Sequence, residues 1–137
     1  MYKITIDYHP TENDNQFVTE QLIAFNEKIF GEREKPLSLF LRDDTGKIVG
    51  GLQGGLDSES LYIDILWITE NLRKQHYGTQ LLQSAEQEAK QFGCQFSTTN
   101  TFDFQAVDFY LKNGYHKIGE INNYTFGHAN IFLRKKL

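Results

Sequence analysis

Leu66-Trp67-Ile68-Thr69-Glu70-Asn71-Leu72-Arg73-Lys74-Gln75-His76-Tyr77-Gly78-Thr79-Gln80-Leu81-Leu82 joins an apolar run to an amphipathic one through a short polar loop. The apolar part has strand character, and a helical period begins at about Gly78. A helix N-terminus presents unpaired N–H groups and a positive dipole end worth roughly half an elementary charge, so this junction suits a phosphate. Glycine lets the backbone approach a ligand closely, and Arg73 and Lys74 add positive charge. By itself the segment fits a plain strand–helix connection with a solvated basic loop equally well. No Walker motif competes with it: Gly46-Lys47 lacks the upstream glycine, and Ile48 stands where Ser or Thr belongs. No Rossmann fingerprint follows the first strand candidate.

Upstream, Lys3–Tyr8 alternates with β-branched residues and reads as a first strand. Thr11 offers a helix N-cap, Phe17, Val18, Leu22, Phe25 and Ile29 follow at helical spacing, and Gly31 is the stop. Leu37–Arg42, Lys47–Leu56 and Leu61–Ile68 form an antiparallel meander joined by short polar turns. Gly50, Gly51, Gly54 and Gly55 in its middle strand point to a bulge or a close backbone approach. Downstream, Leu81, Leu82, Ala85, Ala89 and Phe92 make one apolar helical stripe that ends at Gly93. Gln95–Phe102 is a strand, Asp103 caps a short helix through Lys112, and Tyr115–Ile121 with Ala129–Arg134 closes the sheet. The expected fold is α/β, a mixed and mostly antiparallel sheet with one crossover, in the order β-α-βββ-α-β-α-ββ.

With 137 residues, 39% hydrophobic, the chain suits one domain, 1–137, with a core of its own. The single Cys94 makes no internal disulfide and suits a reducing, cytoplasmic setting; its place after Gly93 suggests burial. The charged N-terminus and the short apolar runs argue against a signal peptide or a membrane span. A net charge of −4 argues against nucleic acid as a partner. His9, His76, His116 and His128 show no metal-ligand spacing, so no metal is expected.

The segment Arg73-Lys74-Gln75-His76-Tyr77-Gly78 resembles motif A of the GNAT N-acetyltransferase superfamily, Gln/Arg-x-x-Gly-x-Gly/Ala. Phe104-Gln105-Ala106-Val107-Asp108-Phe109-Tyr110-Leu111-Lys112-Asn113-Gly114-Tyr115 resembles that family's Ala-x-x-x-Tyr-x-x-x-Gly-Phe/Tyr signature, in the right order and spacing. The resemblance implies two central parallel strands, Leu61–Ile68 and Gln95–Phe102, splayed to admit acetyl-CoA. Backbone groups near Trp67 and Ile68 would pair with the pantetheine amides, and those of Arg73, Lys74, Gln75, His76, Tyr77, Gly78 and Thr79 would hold the pyrophosphate. Tyr110 matches the tyrosine that protonates the departing thiolate. Two departures stand out: His76 replaces the first motif glycine, and Asp103 takes a position that is often Asn.

The implied activity is N-acetyl transfer from acetyl-CoA to an amine, on a small molecule or a protein; a catalytically silent acyl-CoA-binding module is the alternative. The resemblance leaves a homodimer open. A tyrosine with an ordinary pKa near 10 suits donation to a thiolate, although Tyr110 also has the spacing of a core aromatic. Asp64, polar within an apolar strand, is the best-placed general base, and equally reads as a solvent-side carboxylate. Trp67 is expected in the core.

Overall fold

The computed structural model describes all residues, 1–137. Met1–Arg33 and Glu34–Leu137 form separate compact units, taken here in turn.

In the first unit Met1–Ile6 has no regular structure, so the strand expected over Lys3–Tyr8 does not form. Alternation marks a segment fit for pairing, but only a ladder to a neighbouring strand makes it one. Helix α1 (Glu12–Phe30) starts and stops where its caps dictate. Thr11 accepts a hydrogen bond from the Asp14 amide, and Gly31 adopts φ 80° and donates to the Glu27 carbonyl at 2.8 Å. Arg33 grips Glu20 at 2.7 Å and Glu27 at 2.9 Å. None of the α1 residues is buried.

The second unit is a six-stranded sheet: β1 (Lys35–Arg42), β2 (Ile48–Leu56), β3 (Ser60–Ile68), β4 (Phe96–Phe102), β5 (His116–Thr125) and β6 (His128–Lys136). Helix α2 (Tyr77–Phe92) connects β3 to β4, and α3 (Val107–Lys112) connects β4 to β5. The spatial order is β1-β2-β3-β4-β6-β5, with β3 and β4 parallel and the other neighbours antiparallel. Leu52, Leu61, Ile63 and Leu133 meet Leu82, Ala85 and Ala89 in the core beneath α2. Burial of such side chains, each worth roughly 1.5–3 kcal/mol, is what holds helix to sheet.

The β2 glycines do mark an irregularity. Gln53 pairs with Ile65 but Gly54 with Ile63, so Asp64 is an extra residue on β3. A Cβ on Gly54 would collide with the Tyr62 carbonyl oxygen and lie 3.3 Å from the Ile63 Cα. Gly54→Ala therefore has to push β3 off β2, and a fall in stability of about 2–3 kcal/mol in a denaturant titration is expected.

That bulge also corrects the expectation for Trp67. Leu61 and Ile63 point into the core, and unbroken alternation would send Ile65 and Trp67 after them. The extra residue shifts the phase, so Leu66 packs against the core while Ile65 and Trp67 are both 48% exposed.

Candidate cofactor cleft and catalytic tyrosine

The β3–β4 ladder runs from Ser60↔Phe96 to Ile63↔Thr99 and stops there. Both strands continue, β3 to Ile68 and β4 to Phe102, so a fork opens between them. Thr99 seals its base: the Thr99 hydroxyl, buried, donates to the Ile63 carbonyl at 2.9 Å. Backbone groups beyond that point have no partner strand on the fork side, an arrangement that a bound amide-bearing chain can complete.

Two of the sequence-identified residues meet at the fork. Asp64 is the bulge residue directly after the last rung, and it is exposed. Tyr110, on α3, is 4% exposed, and its side chain is hydrogen-bonded to Thr99. Its ring sits edge-on between Phe109, at 5.2 Å, and Tyr115, at 5.3 Å. Burial raises the Tyr110 pKa above its ordinary value, partly countered by the Thr99 hydrogen bond. The hydroxyl thus keeps its proton at neutral pH, as a proton donor must.

At the far end of β3 the chain makes a single 3₁₀ turn, Glu70–Leu72, and then enters the basic loop. The Arg73 side chain turns back, its Nε donating to the Ile68 carbonyl at 3.0 Å. Gln75 Nε2 donates to the Asn71 carbonyl at 3.1 Å, which tightens the loop. Lys74 and His76 both adopt left-handed backbone, φ 60° and 69°. His76 is the residue before α2, and its side chain makes no capping bond. Its carbonyl accepts from Gln80 at 3.0 Å, so the amides of Tyr77, Gly78 and Thr79 belong to the open first turn. Donors left free beside a left-handed turn form a ready anion site. Gly78 is needed for packing as well: a Cβ there would lie 3.3 Å from the Phe109 ring. That contact ties the anion loop to the helix that carries Tyr110.

The backbone of His76 explains why a glycine suits this position. A left-handed conformation costs an L-residue roughly 1–2 kcal/mol and glycine almost nothing. His76→Gly is therefore expected to raise stability by about 1 kcal/mol and to retain or tighten coenzyme A binding, since the donors are backbone groups. Thermal melts and titration calorimetry check both; a tenfold loss of affinity would instead assign the imidazole a contact of its own.

Asp103 does not cap α3. The residue before that helix is Ala106, without a side-chain cap, and Gln105 Oε1 accepts from the Phe102 amide at 2.8 Å. Asp103 turns across to β6 instead, meeting His128 Nδ1 at 2.8 Å and the Ala129 amide at 2.8 Å. These bonds hold its carboxyl below the usual range.

Other groups were not singled out by sequence. Tyr62 donates to Asn100 Oδ1 at 2.7 Å across the fork, and Asn100 Nδ2 to Asn130 Oδ1 at 3.3 Å. Burial, then the nearby Asp64 and Glu34 charges, raise the Tyr62 pKa. Beneath Tyr110, Tyr115 donates to Glu86 Oε2 at 2.8 Å and lies 2.7 Å from Ser97 Oγ, and Lys135 Nζ meets Glu86 Oε1 at 2.9 Å. Ser97, Thr99 and Thr101 all lie on the buried face of β4, a run of small hydroxyls at period two that could have flagged it.

No three His, Cys, Asp or Glu side chains come together as a metal would require. No helix is long and apolar enough to cross a membrane. Cys94 is buried, its Sγ donating to the Asp57 carbonyl at 3.0 Å.

The Acetyltransferase (GNAT) family profile matches residues 1–115. Acetyltransferase Atu2258 of Agrobacterium fabrum is 32% identical over 120 residues, covering 87% of this chain and 88% of that protein. Blasticidin-S acetyltransferase of Streptomyces morookaense is 36% identical over 95 residues, covering 69% and 70%. The crystal structure of an acetyltransferase from Bacillus cereus superposes with a TM-score of 0.80 at 33% identity, covering 100% of both chains.

Proposed function

The chain belongs to the GNAT acetyltransferase family, and from that premise we propose that it moves the acetyl group of acetyl-CoA directly to the nitrogen of a small-molecule amine. The observation that carries this reading is the fork: a parallel ladder that ends at Ile63↔Thr99 with the Tyr110 hydroxyl on Thr99 at its base. The blasticidin-S relative supports a small-molecule acceptor over a protein one.

In this reading the free amides of the first α2 turn, with Lys74 and Arg73 beside them, bind the pyrophosphate. The pantetheine lies in the fork against the β3 backbone near Trp67 and Ile68, opposite β4. The amine lone pair attacks the thioester carbonyl carbon, a C–N bond forms, and the C–S bond breaks. The departing sulfur takes the Tyr110 proton, and the proton released by the amine restores the phenol. Asp64, at the head of the fork, accepts that proton directly or through water. The four nitrogen and carbonyl atoms engaged at any moment are held by rigid strands, which supplies the positioning on which bimolecular transfer depends.

Titration calorimetry with coenzyme A tests the binding half of the proposal, with micromolar affinity expected. No heat and no thermal shift at millimolar coenzyme A would overturn it. A buried hydroxyl at the fork favours an enzyme over a silent binding module, because binding alone has no use for a proton donor there.

A further inference from the structure

The β5–β6 hairpin closes on Phe126-Gly127, with Thr125 paired to His128. Phe126 has φ 48° and Gly127 φ 77°, the two positive values of a type I′ turn. Gly127 suits its place; Phe126 does not. Asn, Asp or Gly takes the first position of such a turn without strain, whereas a bulky L-residue there is an outlier. The ring gains nothing in return from the fold, since Phe126 is 97% exposed. A strained backbone and a bare aromatic ring at one residue are two costs to folding that packing does not offset, the pattern of a residue kept for a ligand.

Its position says which ligand. Asn130 pairs with Phe102, the last residue of β4, so the hairpin from Ala129 to Phe126 overhangs the β4 end by on the order of 10 Å at the usual rise per residue. The overhang is pinned there by the two Asp103 bonds, to His128 and the Ala129 amide, and by Tyr124 at 6.1 Å from the Phe102 ring. Phe104, just past β4, adds its ring edge-on to His128 at 4.7 Å. Phe104 and Tyr124 are themselves 63% and 53% exposed. Three open aromatic rings therefore surround the end of β4, the strand that forms one wall of the fork.

We propose that Phe126, with Tyr124 and Phe104 beside it, is the recognition rim for the acceptor, and that the acceptor amine bears a flat aromatic or heteroaromatic ring that stacks there. This rests on the amine acetyltransferase reading above. Stacking against an exposed ring loses little side-chain entropy and favours planar partners over aliphatic ones of equal size.

Phe126→Asn separates a turn role from a recognition role, because the two move in opposite directions. Relief of the turn raises the melting temperature by a few degrees. Loss of the ring raises the KM for a ring-bearing acceptor by roughly tenfold, with acetyl-CoA affinity unchanged. The matched probes are 2-phenylethylamine and hexylamine within a panel of primary amines, followed by thiol release. The wild-type protein is expected to favour the ring amine, Phe126→Asn to lose that preference while keeping its rate on hexylamine, and Phe126→Trp to restore it. A Phe126→Asn protein as fast as wild type on the ring amine, or equally slowed on both, overturns the proposal. So does wild-type turnover confined to aliphatic amines, which leaves the acetyltransferase reading intact. Absence of thiol release with every amine removes that reading and the recognition rim together.

Discussion

Tyr110→Phe is expected to lower acetyl transfer by roughly 10²–10⁴-fold, the scale on which general acids act. Phe keeps the ring and so both edge contacts, with Phe109 and Tyr115. Only the hydroxyl and its bond with Thr99 are lost, about 1 kcal/mol of stability. The variant should therefore fold and bind acetyl-CoA like the parent, and the defect should sit in kcat and not in KM. Burial matters to this expectation. A phenol whose pKa is raised stays protonated through the neutral range, so it is ready to donate as negative charge develops on sulfur. An unchanged rate with a good acceptor would transfer the proton-donating role to water. Unfolding on loss of the hydroxyl alone would show instead that the Thr99 bond is structural.

The second large effect lies beneath that tyrosine. Glu86 is 6% exposed on α2, and its two oxygens are occupied by Lys135 and Tyr115. Glu86→Ala leaves a buried hydroxyl and an ammonium without their acceptor, and is expected to cost about 3 kcal/mol. The lower end of the range for broken buried pairs applies because the Lys135 side chain is 27% exposed and can reach water. A drop of roughly 10 °C in melting temperature follows for a domain of this size. Replacing Glu86 by Leu together with Lys135 by Met should recover much of the loss, since neither variant leaves a lone charge behind. If Glu86→Ala melts where the parent does, the carboxylate is solvated in solution and the network contributes nothing.

The elements that could be read from sequence were those with local causes. Gly31, Gly93 and Gly114 stop their helices with φ of 80°, 107° and 90°, and the break at 66–82 follows from a change of period that any short window contains. The family motifs led to Tyr110 and to the loop from Arg73 to Thr79, which the structure brings to the fork base and to the start of α2. What escaped depends on distant partners. Glu86 falls one turn after Leu82, on the inner face, but reads as an ordinary polar helix residue until Lys135, far along the chain, is seen beside it. Trp67 was placed inside because alternation cannot reveal the extra residue at Asp64 that flips every side chain after it. Asp103 looked like a helix cap, since a carboxylate just before a helix usually is one; its actual partners arrive from β6. Lys3–Tyr8 had the alternation of a strand without the ladder that would make it one.

The central claim is that the fork carries out acetyl transfer to an amine, and one measurement addresses it without mutation. The protein is incubated with acetyl-CoA and a panel of primary amines, free thiol is counted over time, and the amine products are weighed by mass spectrometry. The account predicts at least one amine that gains a single acetyl group, with one thiol released for each acetyl transferred and none released at comparable rate without acceptor. Coenzyme A binding with no acetylated amine and no thiol above the background of hydrolysis would contradict it, and would leave a binding module on an acetyltransferase fold.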